Sequence, residues 1–242
     1  MATLGSSVPD PFRVDTLWCL RHSLDAYSRP RGSGLATQVA AGRHLRVLED
    51  GGPRLRIRLL EDGYPCWLER QDLAPAAVPA GLPRLPRLDR VAIAARMDSV
   101  LAFAEQARQR PNHYLWGGTL GPDFDCSGLI QAAHAAAGIW LPRDAYLQER
   151  FCRPVALRVG ETRLLEQGDL IFFGTPRRCT HVGLHLGGGR YLHSSGRDHG
   201  RNGIGIDDLN PRNSDPVANH YRAELRGAGR VMHSHDGSPL PS

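Results

Sequence analysis

Lysine is absent from this chain of 242 residues, so all 30 of its basic residues are arginine. Schiff-base chemistry on a lysine amine is therefore excluded. The chain also lacks any apolar run near the ~18 residues that a membrane-spanning helix needs. With 41% hydrophobic and 23% charged residues, the composition predicts a soluble globular protein without a membrane span.

Three further absences narrow the class of protein. Residues 1–11 have neither the basic start nor the apolar stretch of a signal peptide, so we expect a cytoplasmic location. The five cysteines include no CxxC pair, which argues against a disulfide framework and against a cysteine-rich zinc site. The net charge of +5 comes from arginines scattered among acidic residues, so we expect no nucleic-acid partner.

The hydrophobic pattern divides the chain into two domains. Apolar residues and arginines alternate over residues 54–59, after a strand-like segment at 44–48 and a turn, which predicts a half-buried hairpin. Several short strands with tight turns predict a small closed β-barrel. Four prolines within residues 74–86 predict an interdomain linker. The predicted division is an arm (1–18), a barrel (19–74), a linker (75–87), a second domain (88–233) and a tail (234–242).

The second domain begins with helical spacing and ends with period-two segments, so the predicted fold class is α+β. Within it, Cys126 stands where a helix begins, after the aromatic, glycine-rich loop 114–122. Free backbone N–H groups and the helix dipole favour a thiolate there, so we expect a pKa below the usual ~8.5. Cys126 is the candidate nucleophile; an inert buried cysteine is the alternative.

Two strands separated by Gly187–Gly189 predict a β-hairpin. With a three-residue loop, one face carries the polar side chains His181, His185, Tyr191 and His193. In that register His181 and His193 are diagonal neighbours, with Cα atoms ~7–8 Å apart. A thiol nucleophile needs a base and a group that orients the base, so Cys126, His181 and His193 are a candidate triad. His185 shares the face and stays open as an alternative base.

Zinc hydrolysis is the competing chemistry. Its candidate ligands are Cys179, His181, His185 and His193. The chain has no HExxH sequence and no regular ligand pair backed by a carboxylate base. We therefore expect no metal and no cofactor.

Four ordered motifs resemble the NlpC-type cell-wall cysteine peptidases of bacteria, over roughly residues 88–232. They are Asp125–Gly128 after Tyr114-x-Trp116-Gly117-Gly118, then Gln167–Phe173, His181–Gly187 and His193. The resemblance implies a papain-like domain that hydrolyses amide bonds in peptidoglycan stem peptides. It also implies that Cys126 is the nucleophile, His181 the base and His193 the orienting residue.

The N-terminal half, with Tyr64-Pro65-x-Trp67-Leu68 near its end, resembles the cytoplasmic γ-D-glutamyl-L-diamino acid endopeptidases of cyanobacteria and related recycling enzymes. The resemblance implies a bacterial SH3-like barrel that narrows the cleft, so that only a peptide with a free N-terminal L-alanine fits. The implied substrates are murein stem peptides such as L-Ala-γ-D-Glu-diaminopimelate. By the same resemblance Tyr64 and Asp125 hold the α-amine, Ser127 positions the substrate and Tyr114 belongs to the substrate site.

Two positions depart from the pattern of these relatives. Cys66 stands where a small residue is expected, and His185 replaces what is often an aromatic residue. Two other functions stay open. A papain-superfamily acyltransferase uses the same nucleophile with a different acceptor, and a catalytically idle module binds cell-wall peptides without cleaving them.

Overall fold

The computed structural model describes residues 11–240, which fold into two domains, each built around its own sheet. The N-terminal domain contains strands β1 (Leu17–Leu20), β2 (Leu24–Tyr27), β3 (Leu35–Val39), β4 (His44–Asp50), β5 (Arg54–Leu59), β6 (Pro65–Glu69) and β7 (Ala77–Pro79), with helix α1 (Arg70–Ala76). The strand order is β3-β2-β6-β5-β4-β1-β7, and every pairing is antiparallel.

The C-terminal domain combines five helices with a six-stranded antiparallel sheet of order β12-β11-β10-β9-β13-β8. The helices are α2 (Arg90–Ala94), α3 (Met97–Gln109), α4 (Cys126–Ala136), α5 (Ala145–Phe151) and α6 (Pro216–Ala223). The strands are β8 (Arg153–Val155), β9 (Leu170–Thr175), β10 (Arg178–Gly187), β11 (Arg190–Ser195), β12 (Gly203–Asp208) and β13 (Leu225–Arg230). The α+β class predicted from the sequence is confirmed.

Local patterns predicted the strands well. The alternation over residues 54–59 becomes β5, whose Leu55 and Ile57 are fully buried while Arg56 is exposed. β5 pairs with β4 as the predicted hairpin. The apolar run of β9 lies between β10 and β13 and is buried on both faces, because α4 covers one face and α6 the other.

The hairpin of β10 and β11 has the register predicted for the two histidines. Leu184 pairs with Leu192 and His185 with Tyr191. The turn itself has two residues, Gly188 and Gly189, and a bulge at Leu186 supplies the extra residue. A bulge and a tight turn together therefore keep the register that a three-residue loop would give.

The predicted boundaries of the barrel and the linker need correction. Within the described part of the predicted arm, Phe12 packs against Trp18 in the core, and β1 begins at Leu17; residues 1–10 lie outside the described residues. At the other end Pro75 lies inside α1, and residues 77–79 form β7, which pairs with β1. Pro79 is tolerated because β7 is an edge strand.

The predicted tail (234–242) also needs correction, because Ser234 and His235 are bonded to the C-terminal domain. The N–H of Ser234 donates to the Leu88 carbonyl, and its hydroxyl accepts from the N–H of Trp140. The His235 N–H donates to the Trp140 carbonyl at 2.8 Å. Ser234 and His235 thus hydrogen-bond to backbone groups of the C-terminal domain, and a polar composition alone does not reveal such contacts.

Buried hydrogen bonds join the two domains. Thr119 donates its hydroxyl to the Gln38 carbonyl at 2.7 Å and accepts from the Gln38 N–H at 3.1 Å. On a second contact, the Gln131 amide of α4 donates to Asp62 of the N-terminal domain at 2.9 Å. The helix that begins at Cys126 is therefore fixed directly to the N-terminal domain.

Helix α4 also lies unusually close to the loop before it. A Cβ on Gly128 would stand 2.0 Å from the Gly118 carbonyl oxygen, which belongs to backbone and cannot rotate away. The Gly118 carbonyl in turn accepts from the Asp125 N–H at 3.2 Å. Glycine at position 128 therefore lets the loop and the first turn of α4 pack together.

Gly128→Ala should lower the free energy of unfolding by more than about 2 kcal/mol, because the added methyl forces the loop away from the helix. Urea denaturation measures this change. Gly81→Ala is the matched control, since a Cβ there meets open space, and it should change stability by less than about 0.5 kcal/mol. Equal stability of both variants would contradict the packing argument.

Candidate active site

Cys126 is the first residue of α4, as the sequence predicted. Asp125 is the N-cap, and its Oδ1 accepts from the Gly128 N–H at 2.6 Å. The thiol is 5% exposed and lies 4.0 Å from the carbonyl oxygen of Thr180, on strand β10. The helix start therefore places the sulfur beside the strand that carries His181.

The two predicted histidines are joined by a short hydrogen bond. Nε2 of His181 lies 2.7 Å from Nδ1 of His193, and the rings meet edge to face. Nε2 of His193 then lies 2.6 Å from Oδ2 of Asp207, which also receives Arg201 Nη2 at 2.8 Å. A continuous row of polar groups thus runs from the cleft into the sheet.

The structure separates His185 from this row. Its Nδ1 lies 2.8 Å from the Glu166 carbonyl oxygen, and its Nε2 accepts from the Gly189 N–H at 3.2 Å. The ring is 1% exposed and closes the β10–β11 turn, away from the cleft that holds Cys126 and His181. This geometry favours His181 over His185 as the base.

Burial corrects the expected ionisation of the thiol. Desolvation, and after it the Asp125 carboxylate, raise the pKa of Cys126 to about 12, although the backbone N–H groups of Val182 and Ser127 act in the opposite direction. The pKa below 8.5 expected from the helix start is therefore wrong for this buried thiol. Loss of water around the sulfur outweighs the favourable backbone groups.

The histidines are neutral for a related reason. Desolvation lowers the pKa of His181 well below 6.5, and the neighbouring His193 lowers it further. Burial also lowers the pKa of His193, against the opposing effect of Asp207. At neutral pH the site therefore holds a neutral thiol and a neutral imidazole, which suits general-base deprotonation during attack rather than a preformed thiolate.

Asp125 does not present a free carboxylate. Arg143, which is 2% exposed, donates to Oδ2 at 2.6 Å and to Oδ1 at 3.1 Å, and the Gly117 N–H donates to Oδ2 at 2.8 Å. With the cap contact to Gly128, its oxygens are already engaged. The structure therefore argues against the predicted role of Asp125 as the ligand of an α-amine.

The other predicted substrate residues line one cleft. Ser127 accepts from Arg143 Nη1 at 2.9 Å, so its hydroxyl belongs partly to the ion pair. Tyr114 stands beside Gly196 on the wall of the cleft. The Tyr64 hydroxyl donates to Asp144 Oδ1 at 3.4 Å, and both side chains are half-buried. The half-buried carboxylate beside Tyr64 is thus Asp144 and not Asp125.

The cleft lies between the domains and has a volume of about 1050 Å³. The N-terminal domain contributes Ser28, Gly34, Leu35, Ala36 and Tyr64 to its wall. Cys126 and His181 line the same space. A molecule that reaches the thiol therefore contacts both domains.

Several functional candidates were missed by sequence reasoning. Asp207 lies in β12, and Arg143 and Asp144 come directly before α5; no motif in the sequence pointed to any of the three. Tyr221, which stacks on His181 with ring centroids 4.2 Å apart, comes from α6. The N-terminal signal of α6 was present, since Asp215 caps the helix and Pro216 follows.

The described residues include neither a metal-binding cluster nor a membrane-spanning helix. Within residues 11–240 no group of three or more His, Cys, Asp or Glu side chains is placed to hold a metal ion. The expected absence of a metal stays a prediction. None of the helices in that range is long and apolar enough to cross a membrane.

A buried thiol beside a histidine row is the arrangement of a cysteine-nucleophile site, and comparisons with known proteins specify it further. Residues 111–223 match the NlpC/P60 family, and residues 26–73 match the bacterial dipeptidyl-peptidase SH3 domain. The chain therefore carries an NlpC/P60 domain, preceded by a bacterial SH3 domain of the dipeptidyl-peptidase type. The resemblance expected from the sequence is confirmed at this level.

Two curated relatives share parts of the chain. A γ-D-glutamyl-L-lysine dipeptidyl-peptidase of Bacillus cereus is 29% identical over 69% of this chain and 46% of its own length. The γ-D-glutamyl-L-lysine dipeptidyl-peptidase of Bacillus subtilis is 42% identical over 34% of this chain and 27% of its own length. The chain therefore spans less than half the length of either relative.

A crystal structure of an NlpC/P60 family protein from Bacillus cereus is 24% identical to this chain. It covers 90% of this chain and 64% of its own length, with a TM-score of 0.47.

At pH 7, His181→Ala should slow iodoacetamide alkylation of Cys126 by at least ~10-fold, because a buried thiol of raised pKa then has no base. His185→Ala is the matched control and should leave the rate near that of the unaltered protein. Mass spectrometry of the Cys126 peptide gives the rates. Equal slowing by both variants would remove the assignment of His181.

Proposed function

We propose that this protein is a cysteine peptidase that hydrolyses the γ-D-glutamyl–diamino acid bond of murein peptides with a free N-terminal L-alanine. The observation that carries the proposal is the shared cleft, which is lined by Cys126 and His181 and also by Tyr64 of the N-terminal domain, whose hydroxyl contacts Asp144. A nucleophile and a polar pair that can bind a free amino terminus lie in one cleft. This arrangement suits cleavage at a fixed distance from the end of a peptide. The two curated relatives are named for γ-D-glutamyl-L-lysine dipeptidyl-peptidase activity.

The reaction follows from the protonation state of the site. His181 takes the thiol proton as the Cys126 sulfur attacks the γ-carbonyl carbon, so a C–S bond forms and the carbonyl oxygen becomes negative. Collapse breaks the C–N bond, and His181 returns the proton to the departing amine. Water, deprotonated by the same imidazole, then hydrolyses the thioester and frees the thiol.

The free amine is assigned to Asp144 rather than Asp125. Asp125 and Asp144 both line the cleft, but the Asp125 carboxylate is neutralised by its ion pair with Arg143, whereas Asp144 contacts the Tyr64 hydroxyl. An α-ammonium placed beside Asp144 and the Tyr64 hydroxyl gains charge-assisted hydrogen bonds, each worth about 1.5–3 kcal/mol. An acylated nitrogen has no such charge and needs room for its acyl group.

The biological setting is part of the same proposal. A cleft that selects free amino termini acts on released peptides, in which the L-alanine nitrogen is no longer joined to the glycan. We therefore infer a role in recycling murein peptides in the cytoplasm, with intact sacculi as poor substrates.

The pH dependence of kcat/KM should reflect the lowered pKa of His181. The base must be neutral, so activity persists as the pH falls through 6.5 and is lost only when it falls through the lower pKa in the folded protein. The thiol pKa of about 12 predicts that thiol ionisation produces no rise in kcat/KM between pH 7 and 9. A rate that rises tenfold per unit up to pH 9 would instead indicate titration of a thiolate.

Free L-Ala-γ-D-Glu-diaminopimelate should be cleaved at least ~100-fold better than its N-acetyl form, measured as kcat/KM by mass spectrometry of the products. Asp144→Asn and Tyr64→Phe should reduce that preference, because each weakens contact with the ammonium group. Both variants should retain the alkylation rate of Cys126.

Asp198→Asn is a control for charge near the cleft, since Asp198 lines it without contacting Tyr64 or Asp144, and it should keep the preference. Comparable cleavage of free and N-acetylated peptides by the unaltered protein would contradict the selection of free amines. Cleavage of neither peptide would contradict the proposed activity as a whole.

A further inference from the structure

A carboxylate, Asp207, lies at the inner end of the histidine row, and no motif in the sequence marks it. Strands β10, β11 and β12 are adjacent, and His193 pairs with Gly205 across β11 and β12. Asp207 is two residues further along and therefore shares the face of His193, as a diagonal neighbour. It is 6% exposed and contacts Nε2 of His193 at 2.6 Å.

We propose that Asp207 is a positioning residue that sets the tautomers of both histidines and thereby leaves Nδ1 of His181 free to take the thiol proton. The proposal rests on the proposed roles of Cys126 and His181 as nucleophile and base. It adds a fourth group to the triad, one that touches neither the substrate nor the sulfur.

The argument follows the protons along the row. An ionised carboxylate can only accept, so Nε2 of His193 carries the proton that it donates to Asp207. A neutral His193 then has a lone pair on Nδ1, which accepts from Nε2–H of His181 at 2.7 Å. A neutral His181 with its proton on Nε2 has its lone pair on Nδ1. The state of Asp207 therefore decides which nitrogen of His181 is basic.

Arg201 keeps the carboxylate ionised and oriented. Its Nη2 donates to Oδ1 at 2.7 Å and to Oδ2 at 2.8 Å. The guanidinium reaches Asp207 across Gly205, where a Cβ would stand 2.3 Å from Arg201 Nη1. Although burial opposes ionisation, the hydrogen bond from His193 and the charge of Arg201 hold the pKa of Asp207 below its ordinary value.

The arrangement also stabilises the charge that forms during attack. When Nδ1 of His181 gains the thiol proton, the ring becomes an imidazolium whose Nε2–H still faces His193. His193 keeps its own proton on Nε2, facing the negative Asp207. No proton has to leave the row, and the positive charge is stabilised through the two hydrogen bonds that link His181, His193 and Asp207.

Asp207→Asn tests the proposal most directly. Its amide can donate to Nε2 of His193, which moves the His193 proton to Nδ1 and makes Nε2 of His181 an acceptor. The His181 proton then sits on Nδ1, where it blocks removal of the thiol proton. We expect kcat on the tripeptide to fall at least ~100-fold, with KM changed less than ~3-fold.

Two readouts need no substrate and so separate this inference from the proposed peptidase activity. In ¹⁵N-histidine-labelled protein, long-range ¹H–¹⁵N spectra should show both rings protonated on Nε2, and Asp207→Asn should move both protons to Nδ1. Alkylation of Cys126 by iodoacetamide should slow at least ~10-fold in the same variant. If the tripeptide is not cleaved at all while both readouts change, the peptidase proposal fails and the tautomer inference stands.

Asp208→Asn is the matched control, because Asp208 is the next residue of β12 and its carboxylate bonds Asn210 and Asn213 outside the row. It should leave kcat, the tautomers and alkylation unchanged. Asp207→Glu keeps a carboxylate and should retain the Nε2 tautomers and more activity than Asp207→Asn. Unchanged tautomers in folded Asp207→Asn protein would overturn the proposal.

Arg201→Gln decides the matter if Asp207→Asn does not fold, since the Arg201 side chain is partly exposed. A neutral amide holds the carboxylate less firmly, so we expect a mixture of His193 tautomers and slower alkylation of Cys126. Unmixed Nε2 tautomers with an alkylation rate equal to that of the unaltered protein would overturn the role of Arg201 and leave Asp207→Glu to decide the role of the carboxylate.

Discussion

The buried ion pair between Arg143 and Asp125 holds the functional parts of this protein together. Arg143 donates to both oxygens of Asp125, to the Ser127 hydroxyl, and to the Thr37 hydroxyl of the N-terminal domain at 3.0 Å. Removing one partner of such a pair leaves an unpaired charge in the interior, at a cost of about 3–5 kcal/mol. The start of α4, the segment before α5 and the N-terminal domain are therefore fixed at one point.

The same burial that strengthens this pair determines the chemistry of the site. A low dielectric disfavours charge on Cys126 and His181 alike, so the field of a helix start does not by itself produce a thiolate. In the proposed reaction, deprotonation therefore has to be coupled to attack, and the hydrogen bonds of the base matter more than its distance from positive charge. In the buried row of His181, His193 and Asp207, each linked ring nitrogen faces one hydrogen-bond partner, so the row can fix where the protons lie.

Local patterns in the sequence predicted the features that depend on local physics. The start of α4 follows from its cap and spacing, and the facing of His181 and His193 follows from the period of two in β10 and β11. What failed depends on contacts between distant segments. The roles of Arg143 and Asp207 require partners 18 and 14 residues away, and no periodicity marks them.

The choice between the two carboxylates Asp125 and Asp144 could not be made from the sequence alone. Asp125 and Asp144 are both carboxylates near the cleft, and the sequence favoured the one beside the nucleophile. In the fold, Arg143 pairs with Asp125 and leaves Asp144 beside Tyr64. A carboxylate is available to a ligand only if no buried arginine already pairs with it. Which carboxylate each arginine pairs with is known only from the three-dimensional structure.

The wall that the N-terminal domain gives to the cleft is fixed relative to the thiol. The Gln38 side-chain carbonyl accepts from the N–H groups of Thr119 and Leu120, and Asp62 receives Gln131 from within α4 itself. On the far side, the Gly237 Cα approaches the Leu60 carbonyl so closely that a Cβ would stand 2.0 Å from it. Contacts on several sides favour a preformed cleft over one assembled by domain closure. In the proposed function, selection of a free chain end then depends on fit to a rigid space, because the wall does not move to admit a longer peptide.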